Sequence, residues 1–173
     1  MKHQNQLFHA QCYLEILIKQ AFLISPNGKY ISYIAPLAGV LNIFVAPVNS
    51  SGDAKPITQD KGRGIRSYHW AYDNEHIIFA QDEKGDENFR LYSHNLKDSS
   101  TKLITPERDV KALVYKMSYK FPGTILIGLN ERDKRYFDVY KIDLASNAKQ
   151  LIIENDKFTS FTIDDEFQIR FGL

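Results

Sequence analysis

An all-β chain, built as a partial β-propeller of about three and a half four-stranded antiparallel blades, is the fold class this sequence predicts. Three observations predict it. Short apolar or alternating runs recur from residue 21 onward, each bounded by Gly, Pro, Asn or Asp. The runs beginning at Tyr30, His76, Thr124 and Phe167 occupy matching places in successive units and lie 46, 48 and 43 residues apart. Four strands per unit of roughly 40–50 residues is the period of a propeller blade. Ten Tyr and eleven Phe add the aromatic bias that a pleated, half-buried surface favours.

The elements follow in order. Residues 1–20 differ from the rest and are read as a leader. Leu14, Leu17, Ile18 and Ala21 stand at helical spacing there, which allows a short amphipathic helix. Residues 21–173 form the incomplete propeller. Its first unit has strand-like runs at Ala21–Ile24, Tyr30–Ala35, Asn42–Pro47 and Lys55–Thr58. Ser25-Pro26-Asn27-Gly28 makes the first turn, because proline presets φ while Asn and Gly tolerate positive φ. The second unit runs Ser67–Tyr72, His76–Gln81, Phe89–Leu96 and Thr101–Thr105, with Asp73-Asn74 at the matching turn. Within it, Gln81 to Tyr92 carries two strands joined by a short acidic loop around Gly85. The third unit runs Ala112–Ser118, Thr124–Asn130, Asp138–Asp143 and Ala148–Glu154, turning at Phe121-Pro122-Gly123. The fourth has Phe158–Ile163, a turn at Asp164-Asp165, and Phe167–Leu173. Strand periodicity sends Phe167, Ile169 and Phe171 to one face, and Gln168 and Arg170 to the other.

Three and a half blades fall short of the roughly four to eight that close a propeller. The expectation is a fragment, or a chain whose open face another copy or another chain covers, since a bare sheet face and strand edge invite association.

Composition narrows the partners. The 173 residues carry a net charge of +1 with mixed signs, so no basic stripe points to a nucleic acid. Cys12 is the single cysteine, which rules out a disulfide within the chain and fits a reducing, cytoplasmic setting. Tyr13–Ile24 is the most apolar N-terminal stretch. Glu15, Lys19 and Gln20 interrupt it, and it is shorter than the roughly 20 apolar residues of a membrane span.

Several local stretches, taken together, are similar to a known family. They are Ile24-Ser25-Pro26-Asn27-Gly28-Lys29-Tyr30, Gly64-Ile65-Arg66, Trp70-Ala71, Gln81-Asp82 through Asp86-Glu87-Asn88, Leu103-Ile104-Thr105-Pro106, and Leu129 to Asp133 followed by Phe137-Asp138-Val139-Tyr140. Over about residues 24–173 the chain resembles the N-terminal propeller of the prolyl oligopeptidase family of serine peptidases, in its dipeptidyl aminopeptidase/acylaminoacyl peptidase branch. The resemblance implies a propeller that caps an α/β-hydrolase domain and limits access to small peptides. It also implies that the Ser-His-Asp triad lies in that hydrolase domain, beyond the residues matched here.

No residue of this chain is assigned a catalytic, cofactor-binding or metal-binding role. A hydrolase of that type needs its nucleophile in G-x-S-x-G, on a strained turn beside an oxyanion hole, and no serine here sits in that motif. His69, His76 and His94 form no set with a serine and an acid at a telling spacing, and are read as blade residues. His3, His9 and Cys12 match no zinc pattern. Asp82, Asp86 and Asn88 offer hard oxygens for calcium but lack the EF-hand order, so Asp82 and Asn88 are read as bonding loop amides, with Gly85 supplying an unusual backbone angle. Gly62-Arg63-Gly64 lacks the rest of a phosphate loop and is read as a link between blades. Tyr68, Trp70, Tyr72 and Phe79 are expected to fill the space between stacked blades. Arg63, Arg66, Arg90 and Arg132 are expected to pair with carboxylates such as Asp86, Glu87 and Asp133.

The functional expectation is a non-catalytic segment that gates or binds peptide for a hydrolase domain, or a decayed remnant with no role. The alternative is an independent propeller interaction module; the Gly-His and Trp-Asp marks of WD-type repeats are absent.

Overall fold

The computed structural model describes residues 19–82, 88–107 and 109–173. Fourteen strands form four antiparallel sheets among them. Blade 1 holds β1 (Gln20–Ile24), β2 (Tyr30–Leu37), β3 (Val40–Pro47) and β4 (Lys55–Pro56), with a short 3-10 segment at Val48–Asp53. Blade 2 holds β5 (Tyr68–Trp70), β6 (His76–Gln81), β7 (Arg90–Asn95) and β8 (Ser100–Leu103). Blade 3 holds β9 (Ala112–Met117), β10 (Thr124–Leu129), β11 (Asp138–Asp143) and β12 (Lys149–Ile153). A two-stranded sheet, β13 (Phe161–Ile163) with β14 (Ile169–Gly172), follows as blade 4. Each sheet is a meander in which sequential strands are neighbours, as the predicted units require. The leader's suggested helix lies in residues 1–18, outside the described residues; Gln20 and Ala21 already belong to β1.

Side-chain alternation builds the core. Ile77 and Phe79 of β6 face blade 1 and pack with Ile34, Ile43, Tyr68 and Trp70. Ile78, one residue out of phase, faces blade 3 and packs with Leu91, Ile125, Ile127 and Leu129. Leu126 and Val139 turn the other way and meet Phe161 and Ile163 of blade 4. The middle strands are therefore buried on both faces and read as continuous apolar runs. Each fully buried isoleucine contributes about 1.5–3 kcal/mol by leaving water.

One alternation fails. Register slips between Ile163↔Ile169 and Thr162↔Phe171, so Arg170 is the extra residue of a bulge. That extra residue turns Phe171 to the outer face opposite Ile169, where it is 68% exposed, although the sequence pattern places both on one face. The opposite consequence appears at Gly172, where a Cβ would stand 2.4 Å from the Phe158 ring.

Candidate functional site

A cleft of about 510 Å³ opens between blades 2 and 3, at the end where β6 finishes and β7 and β9 begin. Its floor is apolar: Ile78, Leu91 and Ala112 are buried, and Val114 is half-buried. Its rim carries Arg63, Arg66 and His69, all exposed, with Asp82 beside Arg63. Such a combination of apolar floor and a few polar rim groups is the usual build of a ligand site.

The rim is set by a chain of hydrogen bonds that starts in blade 1. Asn42 begins the inward part of β3 and is fully buried. Its Oδ1 accepts from Thr58 Oγ1 at 2.9 Å and from the Asp60 amide at 2.7 Å. Asp60 then accepts from the amides of Gly62 at 3.2 Å and Gly64 at 2.6 Å. The anion held in this glycine loop is thus the chain's own carboxylate, which is why the loop cannot cradle a phosphate. Gly64 has φ +81, and a Cβ there would lie 3.0 Å from the Leu41 amide nitrogen, so only glycine fits. The Ile65 amide donates to the Leu41 carbonyl at 2.8 Å, and this delivers Arg66 to the cleft.

Equivalent clamps recur at the start of each third strand. Arg90 Nε donates to the Glu107 carbonyl, and Asp138 Oδ1 accepts from the Asn155 amide at 2.7 Å. Asn42, Arg90 and Asp138 are all buried and each fixes the link leaving its own blade. Their even spacing of 48 residues, polar in otherwise apolar runs, was a readable signal that the strand-by-strand reading passes over.

The two seams differ in side-chain volume at matching rungs, and of the smaller set Val114 lines the cleft. On the face that blade 2 turns to blade 1, the neighbouring strands β5 and β6 pair Tyr68 with Phe79 and Trp70 with Ile77. On the face that blade 3 turns to blade 2, the corresponding pairs of β9 and β10 are Val114 with Ile127 and Met117 with Ile125. The first seam is filled further by hydrogen bonds: Ser32 Oγ accepts from Trp70 Nε1 and bonds Tyr68 Oη, both at 2.8 Å. Burial pushes the Tyr68 phenol up to about 12, against the lowering effect of the Ser32 bond. Tyr68, Trp70 and Phe79 thus fill a seam as expected, whereas Tyr72 is exposed and meets Tyr119 edge-on at 6.4 Å.

Among the described residues no histidine ring is hydrogen-bonded to a serine hydroxyl. His76 Nδ1 lies 2.6 Å from Asp73 Oδ2, an arrangement that resembles a base and its orienting acid. Its other nitrogen lies 3.1 Å from Asn95 Nδ2, and Asn95 Oδ1 accepts from the Lys97 amide at 2.8 Å. The Lys97 bond fixes which way the amide points, so His76 Nε2 accepts and Nδ1 donates. The position a serine hydroxyl would occupy holds an amide. Burial alone would raise the Asp73 carboxyl; the bonds from His76 and from the Glu75 and His76 amides outweigh it and hold it low. His94 bonds Thr101 Oγ1 at 2.9 Å, and burial lowers its imidazole despite the nearby Asp98 charge. His69, though exposed at the rim, is partly desolvated by its neighbours, which lowers its imidazole too. Ser67 lines the cleft with His69, but no hydrogen bond joins them among the described residues.

Ion pairs differ in detail from expectation. Arg63 pairs with Asp82 at 2.9 Å, and Arg132 makes a two-pronged contact with Asp138 rather than with Asp133. Asp138 is buried where Arg132 can reach it, while Asp133 is taken by Arg135 at 2.7 Å. Asp82 gives an oxygen to the Arg63 guanidinium; the loop amides expected to bond it belong to residues 83–87, outside the described residues. Asp86, Glu87 and Gly85 lie outside the described residues, as do His3, His9 and Cys12. Among the described residues no group of three or more His, Cys, Asp or Glu could hold a metal, and no helix is long and apolar enough to cross a membrane.

No family model matches the chain. It is 42% identical over 150 residues to dipeptidyl aminopeptidase BIII of Pseudoxanthomonas mexicana, which covers 86% of this chain and 22% of that protein. It is 27% identical over 155 residues to dipeptidyl peptidase family member 6 of Caenorhabditis elegans, covering 85% and 21%. The chain thus spans about a fifth of the length of these curated relatives. Among solved structures, the β-propeller domain of the trilobed protease from Pyrococcus furiosus superposes with a TM-score of 0.60 at 18% identity, over 84% of this chain and 46% of that one. A prolyl endopeptidase structure superposes with a TM-score of 0.64 at 14% identity, over 82% and 22%. The structures establish the blade architecture and the sequence relatives supply the lineage: the chain is a β-propeller region of the prolyl oligopeptidase family of serine peptidases, in its dipeptidyl aminopeptidase/acylaminoacyl peptidase branch.

Proposed function

We propose that these blades admit and hold peptide for a serine hydrolase domain, and that bond cleavage takes place outside them. The observation that carries this reading is the conjunction of 42% identity to a dipeptidyl aminopeptidase with a cleft that assembles no nucleophile. Apolar floor and polar rim suit a short peptide; the His76–Asp73 pair ends on an amide and activates nothing. The hydrolase partner is a domain of the same polypeptide or of another, and a cytoplasmic setting belongs to the same proposal on the strength of the lone cysteine.

A fluorophosphonate probe tests the division of labour. The purified 173-residue chain is expected to stay unlabelled. Stoichiometric labelling of one of its serines would overturn the reading, and cell fractionation checks the compartment.

A further inference from the structure

We infer that the cleft between blades 2 and 3 receives the C-terminal end of a short peptide whose last residue is apolar, with the α-carboxylate on Arg66 and the side chain on the floor. The inference rests on the reading that the blades hold peptide, and adds which end is held and by what.

Charge decides the end. Of the two guanidiniums at the rim, Arg63 is neutralised by Asp82 at 2.9 Å. Arg66 has no ion-pair partner among the described residues and is exposed. Among the described residues the one carboxylate lining the cleft is the one bound to Arg63, so the described rim offers a free cation and favours a peptide's anionic end. A carboxylate finds a planar fork that matches it with two parallel hydrogen bonds. His69, whose imidazole is held below its ordinary value by partial desolvation, offers a ring N–H donor at the same rim.

Shape decides the residue. Ile78, Leu91 and Ala112 form an apolar floor within the same cleft as the free cation. A group that satisfies both carries its charge and its apolar side chain on one residue, which is what a C-terminal Leu, Val or Phe presents. An aspartate or glutamate would leave the floor uncovered. The neighbouring strands β5 and β9 are each the terminal strand of their sheet, so each keeps one backbone edge for an extended chain.

The test compares N-acetyl-Gly-Gly-Leu as free acid and as C-terminal amide, titrated calorimetrically into the full 173-residue chain. The acid is expected to bind at least about tenfold more tightly, the scale of one hydrogen-bonded charge. Arg66→Gln should erase the difference without moving the unfolding midpoint, and Arg66→Lys should restore part of it. Val114→Phe, which fills the floor, should weaken the acid while leaving the fold intact. Equal binding of acid and amide, or an unaffected Arg66→Gln, overturns this assignment and leaves peptide holding in place. Failure of both peptides to bind overturns the two together.

Discussion

Two seams of the same stack, built from equivalent strands, do different things. Between blades 1 and 2, Tyr68, Phe79 and Trp70 fill the rungs, and Ser32 ties Tyr68 and Trp70 by hydrogen bonds of 2.8 Å. Between blades 2 and 3 the matching rungs hold Val114, Ile127, Met117 and Ile125, and a cleft of about 510 Å³ remains. At the opposite end the seams are alike. The Asn27 amide donates to Asn74 Oδ1 at 2.7 Å across the first, and the Asp73 amide donates to the Pro122 carbonyl at 3.1 Å across the second. In a repeated architecture the backbone is common property. A site appears where side-chain volume is withheld.

The largest expected effect is at the filled seam. Trp70→Ala removes a buried ring and is expected to cost about 3–5 kcal/mol in denaturant unfolding. A loss below about 1 kcal/mol would mean that the seam collapses freely and that the contrast is false. Next, Ser32→Ala strands the buried Trp70 indole N–H while Tyr68 keeps the Ala21 carbonyl at 2.8 Å. The expected cost is about 1–3 kcal/mol. Because Trp70 is the sole tryptophan, its fluorescence reports the change directly.

A paired measurement sharpens the contrast further. Ile77→Phe overfills the first seam and should cost about 1–3 kcal/mol, whereas Val114→Phe enters the cleft and should cost less than about 1 kcal/mol. Similar costs at both positions would show that the cleft is not room the core can use. The smallest effect concerns the shared end. The folded Asp73 carboxyl titrates below its ordinary value, so it adds stability above that value, and the contribution is lost as pH falls through the lower folded one. Asp73→Asn should therefore lower stability at neutral pH and flatten the acid limb below about pH 4. An unchanged acid limb, followed by circular dichroism, would detach Asp73 from the second seam's stability.

Much of the architecture was legible in the chain because a blade strand writes its environment locally. Tyr30, His76 and Thr124 begin second strands as read, since turn residues and apolar runs mark both ends of each strand. Edge strands were read too long: Lys55–Thr58 shrinks to Lys55–Pro56 and Ser67–Tyr72 to Tyr68–Trp70. An edge pairs on one side only, so apolar pattern overstates its ladder. Phe171 was misplaced because a bulge leaves no mark in the alternation it interrupts.

The cleft was scarcely legible. Arg63 and Arg66 stood out as cations, yet nothing in their order showed that Asp82 neutralises one and leaves the other, because that choice depends on how the link from blade 1 crosses the end of β6. The evenly spaced Asn42, Arg90 and Asp138 could have exposed the clamps that aim this link. By itself the sequence determined the strands, their period and the absence of a nucleophile motif, since these are properties of neighbours along the chain. Only the tertiary structure decided which seam is full and which is hollow, because that depends on side-chain volumes from two blades meeting across a gap neither blade encodes alone.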